Sequence, residues 1–163
     1  MAIIGIVAVD RRGAIGKGGK LPWHYPADMR FFKQQTTGHA CVMGRKTWLT
    51  LKRPLANRLN IVLSRTSDIE PQDSVVLLRD KLSVLSLAAY LKCDLYVIGG
   101  AQVYEAFHEK IDRWLVTEIP LTVEGADAFM PKDFLNGFAL SSVMPLDEEL
   151  QVSVYDRIDA QRV

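Results

Sequence analysis

The run Ile3-Ile4-Gly5-Ile6-Val7-Ala8-Val9 carries no polar side chain at any position and is mostly β-branched. A strand wetted on one face alternates apolar and polar residues. One without polar side chains is covered on both faces, as in a parallel sheet flanked by helices. Residues 2–9 therefore predict a central strand. Leu95-Tyr96-Val97-Ile98 repeats the pattern and ends at Gly99-Gly100. Further strand patterns fall at 39–43, 60–63, 75–78 and 113–119. Helical patterns alternate with them. Pro26 suits the first turn of a helix over 27–36. Residues 44–49 give a turn or two, and 101–109 a further helix. Residues 83–92 give an amphipathic helix with Leu82, Leu85, Ala89 and Leu91 on or near its apolar side. Residues 11–25 are rich in glycine and predict a long loop with little regular structure. Residues 138–163 predict a hairpin, with strands at 140–143 and 152–158. The expected class is α/β: one domain over 1–163, a mostly parallel twisted sheet of about eight strands, an antiparallel C-terminal edge hairpin, and helices on both faces.

Charge narrows the partners. Lys plus Arg number 20 against 19 for Asp plus Glu in 163 residues, a formal net charge of +1. A broad nucleic-acid or anionic-membrane surface needs a large basic excess, so neither partner is expected. The short N-terminal apolar run has no basic stretch before it and reads as a strand, not a signal peptide. No stretch of about 18 apolar residues offers a membrane span. Cys41 and Cys93 lie far apart without Cys-x-x-Cys spacing, which excludes a disulfide framework or zinc ribbon and points to a reducing, cytoplasmic setting. His24, His39 and His108 share no ligand spacing, so no metal site is expected. Trp114 and Tyr96 fall in apolar strand patterns and are expected in the core. No exposed apolar stripe is evident, which favours a monomer.

In open parallel sheets, ligands sit beyond the carboxyl ends of the strands. Two glycine-rich stretches mislead. Gly16-Lys17-Gly18-Gly19 would need its third fingerprint glycine at Leu21, and phosphate-loop spacing counts back from Gly16 to Arg11 and from Gly19 to Ala14. Gly99-Gly100 is better placed, because it ends a strand and opens a helix whose free N–H groups suit a phosphate, although a plain tight turn would look the same. Gly44-Arg45-Lys46-Thr47 has the same layout. Its two cations oppose the helix dipole, and a bound anion would relieve that conflict. Ser64-Arg65-Thr66 is a third such strand end, with a hydroxyl and a planar fork suited to a phosphate monoester. Together they suggest a dinucleotide bearing an additional ribose phosphate. On the other side, Asp28 falls in the first turn of the predicted helix, with Phe31 and Phe32 at helical spacing. It could be a helix-start carboxylate in a core helix or an acid in a cleft. Arg58, after Arg53-Pro54-Leu55, could clamp a carboxylate.

Taken in order, Ile6-Val7-Ala8-Val9-Asp10, Ile15-Gly16, Leu21-Pro22-Trp23 with Pro26-Ala27-Asp28, Met43-Gly44-Arg45-Lys46-Thr47-Trp48, Arg53-Pro54-Leu55, Arg58 to Ser64, Val97 to Tyr104 and Val123 to Phe129 resemble dihydrofolate reductase of the bacterial chromosomal kind. The likeness covers essentially the whole chain. It implies NADPH-dependent reduction of 7,8-dihydrofolate to tetrahydrofolate, and sensitivity to antifolate inhibitors. It implies that Asp28 holds the pterin and promotes protonation at N5, with Thr117 beside it and Trp23 positioning a water. Ile4, Phe32, Leu51, Leu55 and Ile98 would line the substrate pocket, and Arg53 and Arg58 would lie at its carboxylate end. Ile6, Ile15, Gly16, Gly18, Gly19 and Lys20 would flank the nicotinamide. Gly44, Arg45, Lys46, Thr47, Ser64 and Arg65 would take the phosphates and adenosine end. Gly99, Gly100, Ala101, Gln102, Val103 and Tyr104 would cover the pyrophosphate and ring. The chain departs from the commonest bacterial pattern by an extra residue within 10–16, by Gly18-Gly19, by Leu21, by Gln102 and by Ala126. The alternatives are an NADPH-dependent reductase of a pyrimidine intermediate in riboflavin synthesis and a non-catalytic folate- or nucleotide-binding module.

Overall fold

The computed structural model describes residues 1–158. Fifteen elements follow in chain order. The first half holds β1 (Ile3–Val9), β2 (Ala14–Gly16), α1 (Pro26–Thr36), β3 (Ala40–Gly44), α2 (Arg45–Thr50), β4 (Leu59–Leu63) and β5 (Val75–Leu78). The second holds α3 (Lys81–Tyr90), β6 (Leu95–Val97), α4 (Ala101–Phe107), a 3-10 turn (His108–Lys110), β7 (Arg113–Glu118), β8 (Ala128–Phe129), β9 (Phe138–Pro145) and β10 (Gln151–Arg157). Eight of the strands form one sheet in the order β5-β4-β3-β6-β1-β7-β10-β9. Pairings from β5 through β7 are parallel, and those of β10 with β7 and β9 are antiparallel. The expected α/β sheet with an antiparallel edge hairpin is therefore present. The last positions assigned to that hairpin, 159–163, lie outside the described residues.

Alternation along β1 separates two core layers, because successive side chains of a strand point to opposite faces. Ile3 and Val7 join Val84 and Ala88 of α3 and Val103, Tyr104 and Phe107 of α4. Ile4 and Ile6 join Phe31 and Phe32 of α1 and Trp48 of α2. Both faces are thus covered by helices, which is why β1 needs no polar side chain. Gly5 is required by packing: a Cβ there would lie 2.4 Å from the ring of Trp114. Trp114 and Tyr96 are core residues, as their strand patterns predict.

The structure corrects two expectations. Leu82 is 72% exposed and Ala89 is also exposed, while Val84 and Ala88 are fully buried. The Asp80 carboxylate accepts from Ser83 N–H at 2.7 Å and starts α3 at Lys81, and this start sets which face meets the sheet. The loop at 11–25 is not irregular throughout. Ala14 pairs with Phe129 and Gly16 with Ala128 in a separate two-stranded antiparallel sheet, β2 with β8. No helix among the described residues is long and apolar enough to cross a membrane.

Candidate active site

Parallel strands deliver their carboxyl ends to one edge of the sheet. In sheet order that edge carries Ser64 and Arg65 after β4, Gly44 closing β3, Gly99 and Gly100 after β6, Asp10 after β1, and Thr117 near the end of β7. Gly44 N–H donates to Gly99 O at 2.9 Å, which sets the starts of α2 and α4 side by side. Neither helix start has a side-chain cap, so its first N–H groups face outward without an internal acceptor. A Cβ on Gly44 would meet Val103 at 3.2 Å, and one on Gly100 would lie 4.0 Å from Thr47 Oγ1. Gly99 has φ +113°, a conformation that favours glycine. Arg45, Lys46 and Arg65 are exposed. Among the described residues the side-chain ion pairs are Arg79 with Asp68 and Arg113 with Asp156, so these rim cations have no carboxylate partner. Gln102 is exposed and Ala101 half-buried, while Val103 and Tyr104 sit behind the glycines in the core. Uncapped N–H groups and unpaired cations around a glycine cradle form a donor set that fits a pyrophosphate and a phosphate monoester.

The acid lies across β1 from this rim. Asp28 occupies the first turn of α1 and is half-buried. Burial raises its pKa above the ordinary carboxylate value, and the nearby Thr117 hydroxyl offsets this only in part. Thr117 itself is 1% exposed. Phe32, Leu51, Leu55 and Ile98 are partly buried against the layer that holds Ile4 and Ile6, so the expected apolar walls belong to one cluster. Tyr104 links the two halves: its hydroxyl donates to Ile6 O at 2.7 Å, and its pKa is raised by burial and by the charge of Asp28. Trp23 is buried beside Ala27, Ile119, Val123 and Leu150, and its Nε1–H has no acceptor within the described protein. Arg58 is 9% exposed. Its Nε donates to Ala56 O at 2.8 Å and its Nη1 to Thr36 Oγ1 at 3.0 Å, while its guanidinium lies 6.0 Å from the Phe32 ring. The fork is thus held rigidly beside the aromatic wall, whereas Arg53 is exposed.

The loop residues form a third group. Lys17 and Lys20 exchange backbone hydrogen bonds of 2.9 and 3.1 Å around Gly18 and Gly19, whose φ values are +59° and +76°. Two successive positive φ values make a tight hairpin turn that glycine enters without steric penalty. Gly16 is buried in β2, Ile15 half-buried, and Lys20 exposed. Asp127 Oδ2 accepts from Gly18 N–H at 2.9 Å, and Asp127 N–H donates to Gly16 O at 3.1 Å.

One element escaped the sequence reading. The Asp10 carboxylate accepts from the N–H groups of Arg12, Ala14 and Val123, each at 2.8 Å. Burial alone would raise its pKa, but these donors and the Arg12 charge bring it below the ordinary value. The available signal was Asp10-Arg11-Arg12-Gly13, an acid followed by a glycine directly after a strand, which suits an Asx-type turn. Asp10 also borders a cavity of about 400 Å³ shared with Arg11, Glu118 and Glu149. That cavity is lined by neither Asp28 nor Gly99.

A sheet whose edge offers a phosphate-accepting rim on one side and a half-buried acid on the other fits a reductase that uses a phosphate-bearing dinucleotide, and the comparisons with known proteins give that class. The family model described as dihydrofolate reductase matches residues 2–157. Dihydrofolate reductase of Bacillus subtilis is 39% identical over 146 residues, covering 88% of this chain and 84% of its own length. That of Mycobacterium tuberculosis is 38% identical over 138 residues, covering 80% and 81%. The solved dihydrofolate reductase of Enterococcus faecalis, complexed with NADP(H) and RAB-propyl, superposes with a TM-score of 0.88 at 32% identity, over 97% of both chains. The chain belongs to the dihydrofolate reductase family.

Proposed function

We propose that this edge carries out the NADPH-dependent reduction of 7,8-dihydrofolate to 5,6,7,8-tetrahydrofolate with Asp28 as its one acid. NADPH, when bound, supplies the hydride. The chain's own residues bind, orient, exclude water and deliver a proton. Arg45, Lys46, Thr47, Ser64 and Arg65 hold the phosphates, helped by backbone N–H groups from Gly44 and from Gly99 through Tyr104. Ile6, Ile15, Gly16, Gly18, Gly19 and Lys20 keep water from the nicotinamide. Ile4, Phe32, Leu51, Leu55 and Ile98 wall the pterin and benzoyl groups, and Arg58 pairs with the glutamate carboxylate, with Arg53 nearby. Asp28 takes hydrogen bonds from the pterin's 2-amino group and N3 and promotes protonation at N5, with Thr117 beside it. Trp23 Nε1–H orients a water. The observation that carries this assignment is Asp28, half-buried in the first turn of α1, with a carboxyl that burial pushes above its ordinary value and a charge that reaches Tyr104. A carboxyl whose pKa lies above the ordinary value still holds its proton where a normal one has lost it, as general acid catalysis requires.

Membership in the dihydrofolate reductase family decides between the two reductase readings, and an intact acid with both ligand halves favours catalysis over mere binding. The assignment extends to a monomer acting in the cytoplasm on small molecules, antifolates included, without nucleic acid. The nearly balanced charge supports the absence of a nucleic-acid partner. The test follows absorbance at 340 nm. It should fall only with NADPH and dihydrofolate together and should stop with a diaminopyrimidine antifolate. No oxidation of NADPH would overturn the proposal. Replacing Arg65 with Ala should shrink the NADPH-over-NADH ratio of kcat/KM by about tenfold or more, since one charge-assisted bond is worth roughly 1.5–3 kcal/mol. An unchanged ratio would remove Arg65 from the phosphate site.

A further inference from the structure

We propose that Asp10 is a positioning residue for the segment over the nicotinamide: its carboxylate locks the root of residues 10–20 to residues 121–130, so that both hold one placement. This rests on the assignment of residues 15–20 to the nicotinamide made above. The side-chain hydrogen bonds of Asp10 go to Arg12, Ala14 and Val123 and to none of the rim or cleft side chains, and it is 4% exposed. Its two oxygens do different work. Oδ1 accepts from Arg12 N–H and Ala14 N–H, and Asp10 N–H donates to Ala14 O at 3.0 Å, which closes the 10–14 turn on itself. Oδ2 crosses to Val123 N–H at 2.8 Å. An amide or hydroxyl side chain presents one acceptor oxygen, so a carboxylate alone can hold both sides at once.

The crossing leads back to the chemistry. Val123 packs in the cluster that holds Trp23 and Ala27, so the far end of the same loop and the residue before Asp28 share its packing. Arg12 Nη2 reinforces the joint by donating to Val123 O at 3.0 Å. Beyond it, Met130 N–H donates to Gly13 O at 2.9 Å and Asp127 N–H to Gly16 O at 3.1 Å. The loop is therefore fixed at its root by Asp10 and at its exit by Trp23, with Val123 common to both.

Asp10→Asn tests the crossing. Its one carbonyl oxygen can keep the turn, while its NH2 group faces Val123 N–H and breaks the link. The variant should fold by circular dichroism. Amide hydrogen exchange should quicken in residues 10–20 and 121–130 and not in β3 or β4. Its kcat should fall about tenfold, the scale of a misplaced reacting group, with KM for dihydrofolate within about twofold. The isotope effect on kcat with NADPH deuterated at the transferred position should rise. Arg12→Ala, a surface change that removes the Arg12 Nη2 bond and the guanidinium charge beside Asp10 while leaving the Asp10 carboxylate in place, should act in the same direction with a smaller effect and keeps the test open should the first variant fail to fold. Unchanged exchange, or faster exchange with kcat and the isotope effect at parent values, overturns the proposal. In the parent, saturating NADPH should slow exchange in residues 15–20. Absence of that protection would strike down the nicotinamide assignment, and the proposal with it, whereas protection with unchanged variant kinetics would remove only the role of Asp10.

Discussion

Asp10 and Asp28 stand at the same edge of one sheet and are pushed in opposite directions. Asp10 shows less surface to solvent than Asp28, yet its carboxyl lies below the ordinary value while that of Asp28 lies above it. Asp28 has more protein packed around its carboxyl, and Asp10 has more donors on its own. Both differences push the two acids apart. Removing a carboxylate from water costs several kcal/mol, and hydrogen bonds to a charged group return about 1.5–3 kcal/mol each. Three backbone N–H groups outweigh burial at Asp10, and one hydroxyl falls short at Asp28. The first acid keeps its charge to lower pH than an ordinary carboxyl. The second keeps its proton to higher pH.

The hardest blow to this contrast comes from Asp28→Asn. It removes the acid without altering the shape of the cleft, and kcat/KM at neutral pH should fall by about two orders of magnitude or more, the range of general acid catalysis. The fold should not suffer. A carboxyl whose folded pKa is raised lowers stability once the pH exceeds its value in the unfolded chain. The cost grows as pH rises through the folded pKa. Thermal melts should therefore show the variant at least as stable as the parent at pH 7, with the difference gone below about pH 4, where both chains are neutral at this position. A variant within twofold of parent activity would end the assignment of Asp28 as the acid.

The complementary change, Asp10→Asn, should have the opposite signature in stability. A carboxyl with a depressed folded pKa contributes stability above its unfolded value of 3.8, and loses it as pH falls through the lower folded value. At pH 7 the variant should be less stable by about 2 kcal/mol, the worth of one hydrogen bond to a buried charge, or roughly 4–8 °C in Tm. The deficit should begin to shrink below about pH 4 and go on shrinking until the pH passes the lower folded value, where the parent's own Asp10 is protonated. Equal melting temperatures at pH 7 would mean that the three N–H groups find water as good a partner as Asp10.

Much of this layout was legible from residue types alone. β1 and β6 announced themselves because a strand covered on both faces has no polar side chain to interrupt it. The rim followed from glycines and cations placed just after strands, and Asp28 from its place at a helix start beside Phe32. The missing pieces depend on partners distant in the chain. Ala14 pairs with Phe129 and Asp10 with Val123, and neither β2 nor the joint has a local period that marks it. The facing of α3 was hidden for a different reason. Leu82, Val84, Leu85 and Leu87 make the helix apolar almost all round, so periodicity selects no face and the Asp80 cap decides it. Arg58 could be named from its loop, but only the structure gives Ala56 O and Thr36 Oγ1, which hold its fork in place.

The smallest expected effect probes how few donors Asp28 can have and still work. Thr117→Val keeps the side-chain shape on β7, between Ala8 of β1 and Val152 of β10, and removes the hydroxyl. That hydroxyl is the one group holding the Asp28 carboxyl down against burial. Without it the folded pKa should rise further, so the alkaline fall of kcat/KM should move to higher pH. The rate at its plateau should change by less than about tenfold, since one hydrogen bond is worth roughly 0.5–1.5 kcal/mol. Asp10 has donors to spare and should tolerate the loss of one without changing charge, whereas Asp28 has none. A pH profile of Thr117→Val that superposes on the parent's would mean the hydroxyl does not set the hold of Asp28 on its proton.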